Sequence, residues 1–216
     1  MNTPTKITVS RIVMIVVMLI GLFTLSFIKI NNGMPLYLGS SQIYLIDFVV
    51  MWLFVVASFT DFLDGYLARK NNQVTDLGKF LDPIADKMLV DGILIYLLGR
   101  TFDTPHANLS SIAVYCVIIM IIRDLIVDAI RLMAAKKKEV IAANIFGKAK
   151  TVLQMVAIPA LLLNDWPFSY FDSSWPVIVK PSNILLYAAT LMSLISGVIY
   201  FMQNKHVLKE GKKDAE

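Results

Sequence analysis

Two pairs of aspartates stand at helical spacing within a short window: Asp61 with Asp64, then Asp82 with Asp86. At i,i+3 and i,i+4, both members of a pair project from one face of a helix about a turn apart. Both pairs lie at the edges of apolar segments, where a carboxylate is costly unless a positive charge compensates it. Four hard oxygen donors without His or Cys suit Mg²⁺ or Mn²⁺. A pair of such ions suits transfer of a phosphoryl group between two oxygens. Gly65 and Ala68 remove side-chain bulk beside the carboxylates, and Arg69 can fork onto a phosphate. Each feature also has a plainer reading. Asp82-Pro83 has the form of a helix start, Asp86 can pair with a basic side chain, and Gly and Ala are common at helix contacts in membranes.

The chemistry needs two helices to meet, and the composition sets their solvent. Of 216 residues, 57% are hydrophobic and 17% charged, and the mean hydropathy is +0.67. That is too apolar for an ordinary soluble domain, so the expected fold is an all-α integral membrane protein. Six segments are long enough to cross, at roughly 12–30, 43–63, 79–99, 109–134, 149–166 and 183–203. The first reads as a retained helix, because Asn31-Asn32-Gly33 offers no small-x-small cleavage site. No linker or repeat divides residues 1–216, which read as a single membrane domain. In this topology fifteen Lys and Arg fall on the side of the termini and three opposite. The expectation is a multi-pass protein of the cell membrane with both termini, and the site, facing the cytoplasm.

The net charge of +4 points to a membrane surface and anionic ligands, since the basic residues lack the aromatic interleaving of a nucleic-acid binder. Cys116 is the single cysteine, which excludes an intrachain disulfide and a Cys-based metal site.

The stretch from Asp61 to Asp86, DFLDGYLARKNNQVTDLGKFLDPIAD, resembles the signature of the CDP-alcohol phosphotransferases. That signature is DGxxAR, then eight residues, then GxxxDxxxD, with a further Asp three positions before the first; all eight fixed positions are present. The resemblance implies a six-span homodimeric membrane enzyme that displaces CMP from a CDP-linked alcohol with the hydroxyl of a second alcohol. It implies that Asp61, Asp64, Asp82 and Asp86 hold two divalent metal ions and that Asp86 is also the general base. It further implies that Gly65, Ala68 and Arg69, with Thr75, line the CDP-lipid site. A transporter whose acids bind a carried cation is the rival class, but ion binding has no need of the Gly, Ala and Arg positions.

The rest of the chain is similar to the branch that uses CDP-diacylglycerol as donor and sn-glycerol 3-phosphate as acceptor. Asn2 to Arg11 resembles that branch's NxPNxLTxxR segment, with Thr5 in place of the usual Asn. Arg123-Asp124, Arg131 and Gly147-Lys148-Ala149-Lys150-Thr151 with Gln154 resemble its RE…R…GKxKTxxQ pattern, with Asp124 in place of Glu. The likeness assigns Thr8 to the CDP-lipid, and Arg11, Arg123, Arg131 and Lys148 to the acceptor's phosphate.

Physical reasoning points the same way, because an acceptor with its own phosphate needs cations apart from those that neutralise a diphosphate. Arg123 inside an apolar segment is a functional-site hypothesis, with a salt bridge to Asp124 or Asp128 as its alternative. Inositol phosphate and serine remain the other acceptors for the same chemistry. The run Lys136 to Lys138 reads as a topology signal, and Asp47 and Asp91 have no assigned role.

Overall fold

In the computed structural model each of the six apolar segments folds mostly as one long helix. Residues 3–27, 35–38, 41–70, 76–103, 109–137, 144–172 and 174–208 are described. The long helices are α1 (Thr3–Phe27), α2 (Leu45–Lys70), α3 (Asp76–Asp103), α4 (Ile112–Lys136), α5 (Ile145–Leu162) and α7 (Pro181–Gln203). Short pieces α6 (Ser169–Asp172) and α8 (Lys205–Leu208) and a 3₁₀ turn at Val177–Val179 complete the helical part. Thr8–Leu25, Ile145–Leu162 and Pro181–Gln203 are long and apolar enough to cross a membrane. The other three helices are as long but carry charges such as Asp47, Asp91 and Arg123 along their length.

The structure is largely helical, as expected, but it refines the all-α expectation and sets aside the plainer reading of Asp82-Pro83 as a helix start. The fold is not purely α, since β1 (Pro35–Leu38) and β2 (Ser41–Tyr44) pair antiparallel with Leu38 opposite Ser41. Tyr37, Ile43 and Tyr44 are residue types that favour strands. The hairpin is tied to the turn after α5, where Ser41 Oγ donates to the Asn164 carbonyl at 3.0 Å and Asn164 Nδ2 to the Gln42 carbonyl at 3.1 Å. Second, Asp82-Pro83 does not start a helix: α3 begins at Asp76 and Pro83 lies inside it. The helix gives up the one hydrogen bond that the Pro83 nitrogen would make, and its first turn lies ahead of the proline.

The long helices bury stripes at alternating spacings of three and four, and on the first three helices those stripes run into polar residues. On α1 the buried stripe is Thr8, Arg11, Ile15, Met18 and Leu22, while Val13, Val17, Ile20 and Phe23 face outward. On α2 it is Asp47, Val50, Phe54, Ala57 and then half-buried Asp61. On α3 the same spacing links Asp82, Asp86, Leu89, Ile93, Tyr96 and Arg100. One face per helix therefore carries the apolar core in its middle and polar groups at its ends.

α1 packs against both α2 and α3. In the other half α7 packs between α4 and α5, helped by the small residues Ala189, Ser193 and Ser196, which let backbones approach. Contacts of α5 with α2 and α3, and of α3 with α4, join the two halves.

Candidate active site

The three stripes bring the acid motif to the N-terminal part of α1. Arg11 Nη1 forms an ion pair with Asp61 and stands 3.9 Å from Asp86 Oδ1. One turn earlier on the same face of α1, the Thr8 hydroxyl donates to Asp82 Oδ1 at 3.0 Å. Residues from α1, α2 and α3 thus form one acid centre, with the Arg11 side chain 2% exposed and Asp86 51% exposed. A buried guanidinium between two carboxylates offsets part of their repulsion, and open Asp86 keeps an oxygen accessible from outside.

Asp61, Asp82 and Asp86 are the carboxylates of the motif whose side chains are described; the side chains of Asp64, Ala68 and Arg69, and the whole of Thr75, lie outside the described residues. So do the Thr5 side chain and Lys138. Gly65 is half-buried on α2. Among the described residues no three acids, His or Cys stand close enough together to hold a metal ion.

Asp86 also lines a cavity of about 280 Å³ between α3, α4, α5 and α7. Its lining includes Arg123, Arg131 and Lys148, three of the residues assigned to an acceptor phosphate, together with Lys87 and Lys150. Arg11, the fourth, is not in that lining and belongs to the acid centre instead. The cavity's other acids are Asp91, Asp124 and Asp128. Arg123 Nη1 donates to Asp124 Oδ1 at 2.8 Å, and Lys150 pairs with the other oxygen of the same carboxylate. Lys87 pairs with Asp128, joining α3 to α4. Arg131 Nε donates to the Tyr200 hydroxyl at 3.1 Å. The salt bridge weighed for Arg123 therefore exists, and it leaves the guanidinium lining the cavity all the same.

Local sequence explains how these groups are presented. Asn144 caps α5, its side-chain oxygen accepting from the backbone N–H of Phe146 at 2.6 Å and of Gly147 at 3.2 Å. That cap starts the helix so that Gly147, Lys150 and Gln154 fall on one face, toward the cavity.

Some polar residues carry roles that sequence reasoning did not assign. Asp47 is buried at the other end of the α2 stripe, where it pairs with Arg100 and accepts from the Tyr96 hydroxyl at 2.8 Å. Arg100 also stacks over the Tyr44 ring at 4.5 Å, which links the hairpin to α3. The signal was two opposite charges at matching depth on consecutive helices. Ser196 and Tyr200 gave no such signal, being polar positions in an otherwise apolar helix.

The pattern of the CDP-alcohol phosphatidyltransferases matches residues 1–200 of this chain, which include every residue of the acid centre and of the cavity. The chain belongs to that family. It is 39% identical over 208 residues to the CDP-diacylglycerol--glycerol-3-phosphate 3-phosphatidyltransferase of Bacillus subtilis (strain 168), covering 96% of this chain and 97% of that one. A protein of the same name from Rickettsia felis is 35% identical over 202 residues, 93% of each chain. One from Mycoplasma genitalium is 38% identical over 162 residues, 73% of this chain and 64% of that one. As a CDP-alcohol phosphatidyltransferase the chain is a largely helical enzyme of a membrane-associated family.

Proposed function

We propose that this enzyme transfers the phosphatidyl group of CDP-diacylglycerol to sn-glycerol 3-phosphate, giving phosphatidylglycerol phosphate and CMP. The observation that carries the reading is that Asp86 belongs at once to an acid centre and to a cavity lined by Arg123, Arg131 and Lys148. A general base has to reach the proton of the hydroxyl, and that hydroxyl has to stand against the phosphorus it attacks, so the base belongs close to where the two substrates meet. The names of the relatives support the same donor and acceptor.

The chemistry of the donor set fits divalent metal. Asp61 and Asp86 flank one cationic group, and with Asp82 they offer only carboxylate oxygen. Asp61, Asp64, Asp82 and Asp86 would hold two Mg²⁺ or Mn²⁺ ions. When bound, these would neutralise the diphosphate and the charge that develops on it.

The chain's own residues supply the rest. Thr8 and Arg11 orient Asp82 and Asp61 through the contacts described. Arg69, with Gly65, Ala68 and Thr75, receives the cytidine diphosphate end. Arg123, Arg131 and Lys148 take the acceptor's phosphate and so aim its primary hydroxyl at the donor. Asp86 accepts the proton of that hydroxyl as its oxygen bonds to the lipid-side phosphorus, and the bond from that phosphorus to the CMP oxygen breaks.

The six long helices would each span the membrane once, with both termini and the site in the cytoplasm, in a homodimer. The purified enzyme tests the reading directly. CMP should be released from CDP-diacylglycerol only when sn-glycerol 3-phosphate and Mg²⁺ or Mn²⁺ are both present. Equal release with serine or inositol phosphate in its place would refute the acceptor assignment.

A further inference from the structure

Arg123 is held from three sides, and only one of them is an opposite charge. Nη1 donates to Asp124, whereas Nη2 donates to the Ser196 hydroxyl of α7. Gly197 lies under the aliphatic stem, where a Cβ would come within 2.8 Å of Arg123 Cγ and 3.5 Å of Nε. Gly147 of α5 closes the third side, since a Cβ there would lie 3.2 Å from Ser196 Oγ and 3.8 Å from Arg123 Nη2. Neither glycine has a left-handed backbone, so space and not conformational freedom is what they provide. One turn beyond Ser196, Tyr200 accepts from Arg131 Nε at 3.1 Å and sets its ring 5.5 Å from that guanidinium. At i,i+4 on one helix, Ser196 and Tyr200 fix both arginines of α4 without adding any charge.

This matters because a guanidinium has five N–H donors in a rigid fork, and its worth to a phosphate depends on where that fork points. Asp124 alone would let Arg123 swing, and it shares its charge with Lys150. We propose that the α7 face of Ser196, Gly197 and Tyr200, with Gly147 opposite, is the positioning element for the acceptor's phosphate. It holds Arg123 and Arg131 in the directions that bind the anion. The inference rests on the reading of this cavity as the acceptor site.

A methyl group at position 197 has to displace the Arg123 stem, and with it the guanidinium, while no charged or hydroxyl group is removed. For Gly197→Ala, the KM for sn-glycerol 3-phosphate should rise about tenfold, the scale of one lost charge-assisted hydrogen bond. The KM for CDP-diacylglycerol should stay within about twofold, since uniform damage to the fold would move both. Ser196→Ala leaves the packing intact and should raise the same KM by about threefold or more. Gly21→Ala is the control, since a Cβ there meets nothing within 4 Å; it should change neither KM.

An unchanged acceptor KM in both Gly197→Ala and Ser196→Ala, or a parallel rise for both substrates, overturns the proposal. If Gly197→Ala does not fold, Ser196→Ala decides by the same criterion. A wild-type enzyme that releases no CMP with sn-glycerol 3-phosphate overturns the acceptor assignment instead. In that case calorimetric binding of inorganic phosphate to wild type and Ser196→Ala decides the positioning role, and equal affinities overturn it.

Discussion

The acid centre and the cavity beside it share Asp86 but differ in the balance of charge. Arg11 faces the carboxylates of Asp61 and Asp86, and one turn away on α1 Thr8 holds a third described carboxylate, Asp82. In the cavity, Lys87, Arg123, Arg131, Lys148 and Lys150 stand against Asp86, Asp91, Asp124 and Asp128. Among the described residues the centre has more acids than cations, and the cavity has one more cation than acids. The first imbalance would suit added cations and the second an anion, which is the arrangement that the proposed transfer from a metal-held diphosphate to a phosphate-bearing acceptor requires.

Removing the group common to both regions should have the largest effect. Asp86→Asn keeps the size of the side chain and removes the proposed base, so kcat should fall by roughly 10²–10⁴-fold. Binding of CDP-diacylglycerol, measured by calorimetry in detergent, should be largely kept. Near-normal turnover in that variant would take Asp86 out of the base role and leave the two regions without a shared catalytic residue.

Next in size is a change far from both. Arg100→Ala strips the partner from buried Asp47 and should lower stability by about 3 kcal/mol, seen as a fall in thermal midpoint. Both KM values should be unaffected, and adding Asp47→Asn should restore part of the loss. A selective change in either KM would show that this end of the α2 and α3 stripes communicates with the site.

Smaller again is Arg123→Ala. It should raise the KM for sn-glycerol 3-phosphate by about 10- to 100-fold, the scale of charged hydrogen bonds lost to the phosphate, with little change for the lipid donor. Comparable losses for both substrates would merge the two regions into one and blunt the comparison.

The acid motif was legible because its residues lie close together in sequence and because carboxylates beside apolar segments demand an explanation. The helices were legible for the same reason, as long apolar runs, although their ends moved: α2 continues to Lys70, and α3 begins at Asp76 and carries Pro83 within it. Likeness assigned Arg11 to a phosphate, and the structure sets it beside Asp61 and Asp86 of two other helices, a proximity no local spacing encodes. The face of Ser196, Gly197 and Tyr200 was silent because small and hydroxyl residues in an apolar helix signal packing as readily as chemistry. Asp47 and Arg100 made sense only once α2 and α3 were laid together with their stripes aligned. The hairpin was missed because its strands are four residues each, too short for a periodic pattern to stand out.

The most direct test is to locate Mn²⁺ by anomalous scattering in crystals of the enzyme grown with CDP-diacylglycerol. Two ions should lie among Asp61, Asp64, Asp82 and Asp86. Ions bound elsewhere, or a diphosphate held without any ion at these four aspartates, would contradict the account.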